Sequence, residues 1–210
     1  MRSLVLAAGL NATLHVAGIA LTLAALRPGS ALVPVPERLA YLAPHPMGWA
    51  LGWGVWMLCA LSLVGFLASL QPYAESPHVA SLGVTLCAAG AAIDLLCDTG
   101  QIVALPGLAG DPTSHAAFLV WERWLDAGGT VAANGLYSIA IALTSLSLGG
   151  RVPRYAWGLG LGTCAAGMAM VAGGLSDDMR RVEQAGAPLF VLFLLWTAAV
   201  TAALVRQARP

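Results

Sequence analysis

The chain has 210 residues, 59% of them hydrophobic and 10% charged, with a mean hydropathy of +0.79 and a formal net charge of zero. A composition this apolar, drawn out in long runs joined by short polar links, excludes a soluble globule, and the runs are continuous Leu, Ala, Val and Gly rather than alternating, which argues against a transmembrane β-barrel. All 10 basic residues are arginine; without a lysine amine there is no retinal or pyridoxal Schiff base and no Walker A loop, and without a basic patch no nucleic-acid or nucleotide partner is expected.

The expected class is an all-α integral membrane protein, a single domain over residues 1–210 built as a bundle of six transmembrane helices with a short interfacial helix before the fourth. The first span covers about 3–26, and its apolar stretch is too long for a signal-peptide core, so it is read as retained. Asn11 and His15 lie one turn apart on it, which suits a polar contact into the bundle. A bis-histidine haem would need a second histidine at the same depth, and His45, His78 and His115 fall near helix ends. Loop one, rich in proline, is expected to cross the surface in extended form. The second span, about 47–70, carries Trp49, Trp53 and Trp56 at helical spacing, the pattern of an interfacial anchor or packing stripe.

The third span is about 79–104. The loop after it ends in Thr113 and Ser114, residue types that cap helices. From His115 the chain is expected to lie at the interface, with Trp121 and Trp124 beside Glu122, Arg123 and Asp126, and to turn inward at Gly128-Gly129 for a fourth span, about 128–148. Arg151, Pro153 and Arg154 make a tight turn into the fifth, about 155–175. Its GLGLGTCAAGMAMVAGG reads as a surface for close helix contact, since GLGLG lacks the strand and acidic partner of a dinucleotide fold. A charged loop, SDDMRRVEQAGA, precedes the sixth span, about 188–206, opening at Pro188 as a first helical residue. Cys59, Cys87, Cys97 and Cys164 form no CxxC and read as small core residues.

The side holding both termini carries Arg2, Arg151, Arg154, Arg206 and Arg209, and the opposite side carries Arg27, Arg38, Arg123, Arg180 and Arg181. A tie in basic residues leaves the positive-inside rule undecided. The longer Pro- and Asp-rich loops on the second side suit an outer surface, which places both termini in the cytoplasm. The all-arginine, Ala/Gly/Leu-rich composition suits a bacterial-type inner membrane.

The stretch AAIDLLCDTGQI holds the candidate site. Asp94 and Asp98 are one turn apart on one helical face, Gln101 continues it, and Asp94 lies about 15 Å from the helix end near Ala104. Two ionised carboxylates at that depth repel each other and lose hydration, so the pair calls for a proton, a cation or an arginine. On the next helix His115, Glu122 and Asp126 share a face, which Thr130, Asn134 and either Tyr137 or Ser138 extend inward. Helices joined by a short loop are antiparallel neighbours, so the two stripes form a carboxylate-rich seam, with Arg123, Arg180 or Arg181 neutralising acids near the surface.

Three roles suit this constellation: a structural polar seam, a proton or cation site in a small membrane subunit or ligand-binding or transport protein, and a metal-dependent membrane enzyme acting on a lipid or isoprenoid. The non-enzymatic roles are favoured, because DxxxD stands here without a basic clamp, HxxxH, HExxH or GxSxG. The residues name no cofactor. The expected partner is the lipid bilayer, and the small-residue fifth helix would also suit a homo-oligomer or a larger membrane complex.

Overall fold

The computed structural model describes residues 1–208, so Arg209 lies outside the described residues. Its regular elements are all helical: α1 (Arg2–Leu21), α2 (Val35–Leu42), α3 (Pro46–Leu70), α4 (Pro77–Val103), α5 (Leu105–Gly110), α6 (His115–Ala127), α7 (Asn134–Leu148), α8 (Arg154–Leu175) and α9 (Met179–Gln207). Six helical stretches are long and apolar enough to cross a membrane.

The spans stand in a ring in chain order. α1 packs on α3, α3 on α4, α4 on α7, α7 on α8, α8 on α9, and α9 returns to α1. Short links force successive spans antiparallel, so both termini and the Glu75 and Arg151 turns share one end, while α2, α5 and the α8–α9 turn share the other. At the terminal end the ring is filled: Leu4, Phe66, Leu70, Leu148, Trp196 and Leu204 belong to one buried apolar cluster. At the other end a second cluster, including Leu26, Leu42, Trp49, Leu105 and Phe118, seats α2 and α5 against the spans.

Close approach of the helices depends on small residues in heptad register. A methyl group added at Gly83 would meet the Ala140 carbonyl at 3.1 Å, and one at Gly90 would meet the Ala133 carbonyl at 3.1 Å, so α4 and α7 run backbone against backbone. The fifth span behaves as its small residues suggest. Gly160 faces Ser145, Gly167 faces Ser138, and Gly174 faces Val131, where an added methyl would lie 2.8 Å from that side chain.

Two expectations are corrected, those for loop one and for Pro188. Loop one is not extended: Val35–Leu42 is a helix with Pro36 in its first turn, where a missing N–H costs nothing, and Leu42 and Arg38 are buried. Tyr41 Oη donates to the Ala25 carbonyl at 2.8 Å and ties α2 back over the ring. From Pro112 to Arg151 the helix runs on through a π-helical stretch, Gly128–Ala133, so α6 is continuous with the fourth span. Pro188 lies inside α9, which begins at Met179 with the Asp178 carboxylate accepting from Arg181 N at 3.0 Å. Ser114 stands at the N-cap position of α6 without a side-chain cap bond, and Asp111 caps the 3-10 turn Pro112–Ser114 ahead of it. Its carboxylate accepts from Thr113 Oγ1, Thr113 N and Ser114 Oγ, and these bonds hold it below the usual carboxylate range.

Candidate functional site

The ring encloses a cavity of about 550 Å³ in the half opposite the termini. Of the residues singled out in the sequence, Asp94, Asp98, Gln101, Glu122, Asp126 and Asn134 all border it. His115 does not. It shares a face with Glu122, but the rise of the helix carries it about 10 Å further out, beyond the rim.

The π-helical stretch explains how one face can present so long a stripe. Glu122, Asp126, Thr130 and Asn134 are spaced by four, and in a regular α-helix each such step drifts about 40°, or about 120° over three steps. The wider π turn over Gly128–Ala133 takes up residues at that point and keeps the four together on the cavity wall. Tyr137, one turn on, also faces inward, whereas Ser138 points at α8 against Gly167.

Hydrogen bonds join the two stripes. Tyr137 Oη donates to Asp94 Oδ2 at 3.1 Å, and Gln101 Nε2 donates to Asp126 Oδ1 at 3.0 Å. Asn134 Nδ2 is 3.0 Å from Met170 Sδ on α8. Trp49 Nε1 donates to the Gln101 carbonyl at 2.8 Å and fixes α3 against the end of α4. Asp98 is 2% exposed, and its Oδ2, like Gln101 Oε1 one turn away, has no hydrogen-bond partner among the described residues. Two buried acceptors are thus left facing the same region, and such groups are costly unless something donates to them.

The arginines are committed elsewhere. Arg38 of α2 reaches Glu122 at 3.1 Å, with the two side chains 6% and 8% exposed. Arg27 pairs with Glu183 at 2.8 Å on the surface, and Arg123 pairs with Asp177 at 3.3 Å. Of the arginines expected to neutralise acids near the surface, Arg123 does so with Asp177, whereas the buried acid Glu122 is held by Arg38. The buried partner is Arg38, and Asp94, Asp98 and Asp126 have no basic partner among the described residues.

Most of the rest of the wall is aromatic and apolar, with Thr22, Arg27 and Glu183 at its edge. Trp49, Trp53 and Trp56 turn inward rather than anchoring an interface, and Trp49 is 2% exposed. Trp56 donates to Thr22 Oγ1 at 2.8 Å and packs on Phe190 in a tilted arrangement, ring centroids 5.3 Å apart. His15 packs as its sequence position suggests, donating from Nδ1 to the Asn11 carbonyl at 2.8 Å and lying 4.7 Å from the Phe193 ring; it also borders the cavity. A smaller, more polar chamber of about 310 Å³ shares Ala31, Glu122, Asp126, Thr130 and Met179 with the main cavity and runs between it and the surface pair Arg123–Asp177.

Sequence reasoning missed Arg38, and it left the tryptophans open between an interfacial anchor and the packing stripe that they form. The first had a signal in VPERLAYL, where a proline-led turn with an acid at the helix start and Arg38, Tyr41 and Leu42 on one side describes an amphipathic helix. Chemically, the cavity offers carboxyl acceptors, aromatic faces and apolar surface together, a combination suited to positive charge on an apolar body. Among the described residues no three His, Cys, Asp or Glu side chains converge to hold a metal ion, so the DxxxD pair gains no further ligand here. Comparison with protein-family models, with curated proteins and with solved structures yields no match.

Proposed function

We propose that the protein is a non-enzymatic membrane binding or transport protein whose cavity takes up a small organic cation, or exchanges it for protons, at Asp94 and Asp98. The observation that carries this reading is the pairing of carboxylates that have no arginine with an aromatic wall, centred on Asp98, whose buried Oδ2 has no donor. An ammonium or a related cation would meet both needs. The apolar plug around Phe66 and Trp196 closes the terminal end, which supports a blind binding cup over an open channel. The orientation that best fits the loops has both termini in the cytoplasm of a bacterial-type inner membrane and the cup facing outward.

The reading is tested by isothermal titration of tetraphenylphosphonium into the protein in lipid nanodiscs. Tetraphenylphosphonium has no hydrogen to donate, so what Asp98→Asn removes is charge attraction, which for unit charges about 5 Å apart at an effective dielectric of about 20 is about 3 kcal/mol; the variant should weaken binding by roughly 10- to 100-fold while the protein stays folded. Equal affinity in the wild type and in Asp98→Asn, or no binding by either, would overturn it.

A further inference from the structure

The cavity reaches the surface in a second place, distinct from the polar chamber. Thr22, Leu23 and Arg27 at the end of α1 and Glu183, Gly186 and Ala187 on α9 all border it. Leu23 is 61% exposed, and Glu183 and Ala187 are exposed as well. At Gly186 an added Cβ would meet nothing within 4 Å. This is the sparsest seam of the ring, since α1 and α9 touch less than any other neighbouring pair. Because these are the flanks of membrane-spanning helices, a gap between them opens onto lipid, not water.

Both walls of the gap have irregular backbone. On α1 the helix loosens into a π-helical turn at Thr22–Leu26, and on α9 Pro188 removes the N–H that would bond the Gln184 carbonyl. The outer edge is bridged by Arg27 and Glu183, 2.8 Å apart, with side chains 52% and 43% exposed. An ion pair so exposed holds weakly and can part without leaving a buried charge behind. The polar chamber, in contrast, is lined by Arg38, Glu122, Arg123, Asp126 and Asp177 and lies beside the buried Arg38–Glu122 pair, a poor path for an alkyl chain.

Resting on the cation reading above, we infer that the ligand is a lipid-partitioned amphiphile, an ammonium head on an apolar chain, which enters sideways from the bilayer between α1 and α9. The head reaches Asp98 and Asp94 past Trp56 and Phe190, and the chain occupies the apolar remainder of the cavity and the cleft.

The test uses the full chain reconstituted in vesicles, with quenching of intrinsic tryptophan fluorescence followed by stopped flow. Two probes are compared: dodecyltrimethylammonium, which partitions into lipid, and tetraethylammonium, which stays in water. Gly186→Trp places an indole in the open cleft, and Leu23→Trp does so from the opposite wall at an exposed position. Each should slow association of the dodecyl probe by at least tenfold and leave that of tetraethylammonium unchanged. Asp98→Asn should weaken both probes. If neither tryptophan variant slows the dodecyl probe, or if each slows both probes equally, the lateral route is wrong even though the cation site stands. If Asp98→Asn weakens neither probe, the cation site itself is wrong.

Discussion

Replacing Arg38 with methionine leaves Glu122 buried without its counter-charge, and the outcome separates a structural clamp from an incidental pair. At 3.1 Å and an effective dielectric of about 20, the two charges attract by about 5 kcal/mol. Burying them costs several kcal/mol per ion, so the intact pair adds little net stability. The pair leaves Arg38 Nε without a partner among the described residues, so not all of the guanidinium's donors are satisfied. Removing one partner is a different matter, because the remaining charge stays buried, and Arg38→Met should cost about 3–5 kcal/mol. For a chain of this length that corresponds to a fall in Tm on the order of 10 °C. Glu122→Leu should cost less, since an arginine can swing its head toward water along its own stem. The double variant Arg38→Met, Glu122→Leu should recover to within about 1 kcal/mol of the wild type or exceed it. The assay is thermal unfolding in detergent of all four proteins as a double-mutant cycle. Additive losses in the double variant, or an Arg38→Met protein as stable as the wild type, would refute the claim that α2 is held over the cup by a buried charge pair.

Tyr137→Phe removes the hydroxyl that donates to Asp94; thermal unfolding should show a loss of about 1–2 kcal/mol, against no change for Tyr155→Phe, whose side chain is 61% exposed. Gly90→Ala should destabilise relative to Gly54→Ala by about 1–3 kcal/mol, because the new methyl at Gly90 meets Tyr137 at 3.0 Å and the Ala133 carbonyl at 3.1 Å, while at Gly54 it meets nothing within 4 Å. Equal stability of the two alanine variants would contradict the close backbone approach of α4 and α7.

The six spans are legible because a bilayer demands about 20 apolar residues per crossing, and the chain supplies them in separated runs. The Asp94, Asp98 and Gln101 face is legible because helical spacing alone puts those side chains on one side. The same rule recovers Glu122, Asp126 and Asn134, although it succeeds there for a reason it does not contain: without the π turn the stripe would wind away from the cavity. His115 obeyed the angular rule and failed on depth. Trp49, Trp53 and Trp56 were ambiguous because α3 is apolar all round, and a helix with no polar face does not declare which side looks inward. The rule that makes Pro188 a helix start comes from soluble helices, whereas neighbouring helices let a membrane span carry proline within it. Arg38 depended on tertiary placement. Nothing local to loop one says that its helix folds back to meet Glu122, far along the chain.

The most direct test of the central claim is a crystal of the protein soaked with tetraphenylarsonium, with arsenic located by anomalous scattering. The account predicts a peak inside the ring, on the Asp94 and Asp98 side of the cavity and within ~6 Å of an aromatic face such as Trp53, Trp56 or Tyr137, and its loss in Asp98→Asn. Arsenic found only on the lipid-facing surface, or an internal peak that persists in Asp98→Asn, would contradict it.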